Sequence, residues 1–156
     1  MTKILEIGEK APTFSIETDA GVKTTLKDLK GKKVILYFYP KDDTPGCTKE
    51  AIAFSADLAK FNRANAVVIG VSRDPLAKHQ KFKDKHALKV MLGSDENGVV
   101  TEKYGVWVEK NNYGRQYMGI ERTTFLIDET GIIRQIWRKV RVAGHVEDVL
   151  SAAKAL

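Results

Sequence analysis

The chain has 156 residues, 43% hydrophobic and 29% charged, which suits one globular domain with its own core and excludes a disordered chain. Its formal charge of +6 is dispersed over lysines such as Lys27, Lys30, Lys32 and Lys33, and Lys78, Lys81, Lys83 and Lys85, with acids interleaved and no aromatic-laced basic stripe. It therefore reads as solvated surface rather than a nucleic-acid or membrane footprint. No apolar run approaches the roughly 20 residues of a membrane span, and the opening MTKILEIGEK has no secretory h-region, so a cytoplasmic protein is expected.

Segments Phe14 to Thr18 and Val22 to Leu26, around Asp19-Ala20-Gly21, predict an N-terminal hairpin. Lys33 to Tyr39 is a near-continuous apolar run ended by Pro40, the pattern of a strand buried on both faces. Ala66 to Ser72 and Thr123 to Asp128 are of the same kind. Asp128 to Gly131 reads as a turn, and Ile132 to Trp137 as the partner strand. Between these, Ala51, Phe54, Leu58 and Phe61 recur at spacings of three and four, predicting a helix from Pro45 to about Asn62 with Cys47 on its apolar face. Further helices are expected from Pro75 to His86, Asn97 to Tyr104 and His145 to Ala155. This order implies an α/β domain over residues 1–156, a mixed central sheet flanked by helices with an N-terminal hairpin extension. A thioredoxin-like fold fits it.

One cysteine rules out an internal disulfide. His79, His86 and His145 lack ligand spacing with it, so no metal or other cofactor is expected. Cys47 stands where a buried strand gives way to a helix, after Thr44 as candidate N-cap and Pro45 at the first helical position. The free N–H groups and dipole of that first turn favour an anion, here a thiolate. Gly46 beside it would let a substrate approach the backbone. A lone cysteine is also often an inert core residue, and the local pattern leaves both readings open.

Pro40-x-x-x-Thr44-x-x-Cys47 resembles the active-site pattern of the peroxiredoxins. The longer string from Phe38 to Glu50 is similar to their bacterioferritin-comigratory-protein (Q-type) branch. So, in order, are Ile69 to Asp74, Tyr104 to Trp107, Arg122 to Asp128 and Trp137 to Val140. The resemblance spans nearly the whole chain. It implies that Cys47 attacks a peroxide and becomes a sulfenic acid. It also implies that Thr44 bonds the thiolate and orients the peroxide, that Pro40 shields the sulfur, and that Arg122 stands beside it. Arg122 as a surface charge remains open, and Glu50 either holds Arg122 or is a solvated helix carboxylate. Many Q-type members carry a resolving cysteine at positions matching Ile52 or Lys83. Neither is cysteine here, which implies a one-cysteine enzyme regenerated by an external thiol, whether thioredoxin, glutaredoxin/glutathione or a small thiol. The branch suggests a monomer or weak dimer. Competing readings are a redox sensor without turnover, a cysteine–histidine hydrolase and a basic nucleic-acid binder.

Overall fold

The central strand β3 (Lys33–Phe38) is buried at every position. In the computed structural model, which describes residues 4–19 and 21–156, Val34, Leu36 and Phe38 face one core while Ile35, Tyr37 and the following Tyr39 face another. This two-sided burial is what a continuous apolar run requires when side chains alternate with period two. β3 pairs in parallel with β4 (Ala66–Ser72) and antiparallel with β8 (Thr123–Ile127). The full order is β2-β1-β5-β4-β3-β8-β9. Here β1 is Ser15–Thr18, β2 Lys23–Thr25, β5 Met91–Ser94 and β9 Ile133–Trp137.

The N-terminal hairpin is present, with Ser15 opposite Thr25 and Ile16 opposite Thr24. It is part of the main sheet, because β1 pairs antiparallel with β5. Ala20 of its turn, and the first three residues of the opening segment, lie outside the described residues.

Helices α1 (Pro45–Ala56), α2 (Leu58–Arg63), α3 (Leu76–His86) and α5 (His145–Lys154) supply the first core with Phe54, Phe61, Phe82 and Val149. Helix α4 (Val99–Lys103), with Phe14, Tyr104 and Val106, closes the second. Lys33 is buried at the start of β3 and donates to the carbonyls of Ala64 (3.0 Å) and Ala153 (2.9 Å), capping the ends of α2 and α5. Among the described residues no helix is long and apolar enough to cross a membrane.

Three expectations need correction. The helix expected from Pro45 to Asn62 breaks at Asp57, whose φ of −100° and ψ of 8° leave the helical region. The helix expected over Asn97 to Tyr104 is confined to Val99–Lys103, because Gly98 enters it in the left-handed conformation. A hairpin of β6 (Trp107–Asn112) and β7 (Arg115–Ile120) was not foreseen. It is a separate two-stranded sheet, largely exposed, and so lacks the apolar alternation that reveals a half-buried strand. Its signal was the turn: Tyr113 and Gly114 both have positive φ, 53° and 78°, as a two-residue primed turn demands.

Candidate active site

β3 ends at the active-site loop, residues 39–44, and α1 begins directly after it. Thr44 occupies the N-cap, and its carbonyl accepts from Thr48 N (2.8 Å). Its side chain does not cap the helix. The hydroxyl donates to the Lys41 carbonyl at 2.9 Å and not, as expected, to the Cys47 sulfur, leaving its oxygen as an acceptor. Asp43 before it has a φ of 60°, a left-handed conformation uncommon for a non-glycine residue. Pro40 follows the strand and is exposed.

Cys47, in the first turn of α1, is 1% exposed and sits in the first core with Tyr37, Ala51 and Phe54. Burial alone would suit an inert thiol. Arg122 argues otherwise. Held by its backbone carbonyl to Val140 N (3.0 Å), just before β8, it reaches over the start of α1. Its Nη2 donates to Cys47 Sγ at 3.2 Å and its Nη1 to Glu50 Oε1 at 2.7 Å. A guanidinium keeps its charge, and its planar fork reaches the sulfur and the carboxylate together. Gly46 makes room for this contact. A Cβ there would lie 3.2 Å from Arg122 Nη2, so the glycine admits the arginine over the helix.

Glu50 is fully buried, one turn beyond Cys47, which excludes a solvated helix carboxylate. Burial pushes its pKa up to about 7 against the lowering effect of Arg122. Its Oε2 has no hydrogen-bond partner among the described residues, and neither has the buried Tyr37 hydroxyl.

A second buried cluster borders the loop, and sequence reasoning missed it. Asp42 accepts from the Tyr39 hydroxyl at 2.5 Å, and its other oxygen lies 2.6 Å from His79 Nδ1. His79 Nε2 lies 2.9 Å from the Gly93 carbonyl, and Asp42 N donates to Asp74 Oδ2 at 2.8 Å. Tyr39 and Asp42 are three residues apart, but His79 and Asp74 lie 37 and 32 residues from Asp42, so no local spacing announced the cluster.

The three histidines are engaged elsewhere: His79 as described, His86 on Asp43 (2.9 Å) and His145 on Thr124 (2.8 Å). No histidine bonds Cys47, which removes the geometry of a cysteine–histidine hydrolase. Among the described residues no group of three or more His, Cys, Asp or Glu is placed to hold a metal ion. At the two positions where the resemblance led to the expectation of a second cysteine, Ile52 is 45% exposed and Lys83 pairs with Asp19. A cavity of about 330 Å³ at the other end of β3, lined by Lys32, Val34 and Gly131, lies away from Cys47 and Arg122.

Comparison with known proteins agrees with this geometry. The AhpC/TSA family matches residues 7–136. A putative peroxiredoxin bcp of Coxiella burnetii is 56% identical over 146 residues, 94% of this chain and 97% of its own. A crystallised mutant of PrxQ from Xylella fastidiosa superposes with a TM-score of 0.92 at 37% identity, covering 98% of both chains. The bacterioferritin comigratory protein of Xanthomonas campestris, a protein with alkyl peroxide reduction activity, superposes with a TM-score of 0.86 at 44% identity, covering 91% of this chain and 90% of its own. With the thioredoxin-like sheet, the motif from Pro40 to Cys47 and the arginine on the sulfur in place, the chain belongs to the AhpC/TSA family, in its Bcp or Q-type peroxiredoxin branch of thiol-dependent peroxidases, with Cys47 as its single cysteine.

Proposed function

We propose that this chain, acting as one domain over residues 1–156, reduces hydrogen peroxide and organic hydroperoxides through Cys47 alone, in antioxidant defence and redox homeostasis. The Arg122 N–H 3.2 Å from the sulfur carries this reading, because a half-buried arginine directed onto a core thiol has no packing rationale. Cys47 thiolate attacks the terminal peroxide oxygen. The S–O bond forms, the O–O bond breaks, and the departing alkoxide or hydroxide takes a proton from water. Arg122 donates toward the oxygen on which charge develops. Thr44, whose hydrogen is committed to Lys41, accepts from the peroxide O–H and so orients it. Pro40 limits water at the mouth of the site. Glu50 holds Arg122, and Gly46 gives it room.

One thiol then attacks the sulfenic sulfur, releasing water and leaving a mixed disulfide. A second thiol frees Cys47 and carries away the disulfide. Thioredoxin, glutaredoxin with glutathione, or a small thiol can supply these two equivalents. All reacting groups come from one chain, which suits a monomer or weak dimer. A cytoplasmic setting keeps the thiol reduced. The test is peroxide consumption measured in parallel with thioredoxin, glutaredoxin–glutathione and small dithiols. Sustained turnover with at least one is expected. A single fast oxidation followed by no turnover with any would assign the chain to sensing instead.

A further inference from the structure

Beside Arg122 the β6–β7 hairpin and the segment after β9 enclose an open cleft of about 620 Å³, within the roughly 300–1,000 Å³ of small-molecule sites. Its cations are Lys110, Lys139 and Arg122, and Val108, Tyr117 and Val140 give it apolar walls. Lys110 stands opposite Tyr117 in the hairpin register, and Val108 opposite Gly119. A Cβ on Gly119 would lie 3.2 Å from Lys110 Cδ and 3.4 Å from the Tyr117 ring. The glycine therefore lets the lysine stem lie flat across the hairpin. Neither Lys110 nor Lys139 forms an ion pair among the described residues. Two carboxylates also border the cleft: exposed Glu109, in register with Met118, and Glu121. Three cations thus face two carboxylates, and one cation sits directly on the sulfur.

We propose that this cleft receives a small thiol reductant bearing a carboxylate, held by Lys110 and Lys139 while its sulfur attacks the oxidised Cys47. The inference rests on the one-cysteine peroxidase reading above. Its chemistry is the same two-thiol sequence: the thiol's sulfur bonds to Cys47 Sγ, the S–O bond breaks, hydroxide leaves as water, and a second thiol completes the reduction. Partial burial and the neighbouring Arg122 push the Lys110 pKa down, while Glu121 and Cys47 pull it back up, so the lysine shares the field of the reacting sulfur. Oxidation sharpens the selection. The thiolate is an anion and the sulfenic acid is neutral, so one negative charge beside Arg122, at the edge of the cleft, is lost when a reductant is needed. It returns when the product disulfide must go.

The test separates the thiol step from the peroxide step. Cys47 is first oxidised with one equivalent of peroxide and then mixed with 3-mercaptopropionate, 2-mercaptoethanol, cysteamine or glutathione, compared at equal thiolate concentration. The anionic thiols should react about 10-fold or more faster than cysteamine at low salt, with 2-mercaptoethanol between. The advantage should fall as the Debye length shrinks with added salt. Lys110→Gln should lose most of it, and Lys110→Arg should keep it. Lys81→Gln, on the outer side of α3, should behave as the parent. A sulfenic acid that forms normally but shows no charge preference, or a preference unmoved by Lys110→Gln, overturns this inference alone. No sulfenic acid at all overturns the peroxidase reading and this inference with it.

Discussion

Tyr37 and Tyr39 lie two residues apart on one face of β3, their rings 5.7 Å apart, yet their hydroxyls meet opposite circumstances. Tyr39 donates to Asp42, which also meets His79, and every ring nitrogen and carboxylate oxygen in that cluster has a partner. Tyr37 lies under the Arg122–Glu50–Cys47 group, where its hydroxyl and Glu50 Oε2 have none. The first cluster is a scaffold: a satisfied buried network fixes the loop from Pro40 to Thr44 against α3 and β5. The second tolerates unpaired polar atoms and a carboxyl with a raised pKa. Such local inconsistency is the mark of a working site.

Arg122→Met provides the sharpest way to break the comparison. It removes the donor on the sulfur, and the peroxide step should slow by about 10²–10³-fold. Glu50 then takes up a proton rather than remaining a buried lone charge, so the fold should persist. Stopped-flow rates with peroxide, alongside a thermal melt, check both halves.

His79→Ala tests the other side. Removing one partner of a buried, hydrogen-bonded pair should destabilise the protein by about 3–5 kcal/mol. The rate constant of the remaining folded enzyme with peroxide should change far less than in Arg122→Met. Urea unfolding and single-turnover rates together decide it, and a large rate loss without a stability loss would reverse the assignment of scaffold and site.

Linkage gives a further contrast. Glu50 has its pKa raised from 4.5 to about 7, so the native state holds a proton that the unfolded state releases between these values. Its contribution is fully present below about pH 4.5 and is lost as pH rises through about 7, by up to about 3 kcal/mol. His145 runs the other way. Burial lowers its pKa from 6.5 to about 4, so its contribution is present above 6.5 and lost as pH falls toward 4. The two slopes oppose each other across about pH 4.5–6.5. Glu50→Gln should expose the acid loss from His145 and remove the decline toward pH 7. Denaturation midpoints measured from pH 4 to 8 would show it, and parallel curves for parent and variant would contradict it.

Thr44→Val should have the smallest effect, about tenfold on the peroxide step and little on stability. The hydroxyl makes only a local bond to Lys41, and an exposed loop can relax around its loss. Equal rate constants for variant and parent would remove Thr44 from the mechanism.

Much of this was legible in the sequence, for identifiable reasons. β3, β4 and β8 are buried on both faces, so their composition alone marks them. Arg122 and Glu50 were found through the resemblance and not through spacing, since 72 residues separate them. The Asp42–His79 contact spans 37 residues and forms only because α3 packs beside the loop after β3. The β6–β7 hairpin, with exposed residues such as Arg115, Gln116 and Met118, is buried only at its base, at Ile120, and so had no apolar alternation to betray it. Gly46 was singled out for the approach of a substrate, and its closeness to the Arg122 guanidinium, which spacing could not reveal, gives it a further reason to lack a side chain.

The central claim is that Cys47 alone carries the oxidation and an external thiol resolves it. Intact-mass spectrometry after one equivalent of peroxide tests this most directly. A gain of one oxygen, about 16 Da, on the monomer is expected, converting to a mixed disulfide on adding glutathione and to two- and three-oxygen forms under repeated peroxide without thiol. A covalent dimer as the dominant first product would mean that Cys47 resolves against a second chain. An unmodified mass would mean that the buried thiol is inert.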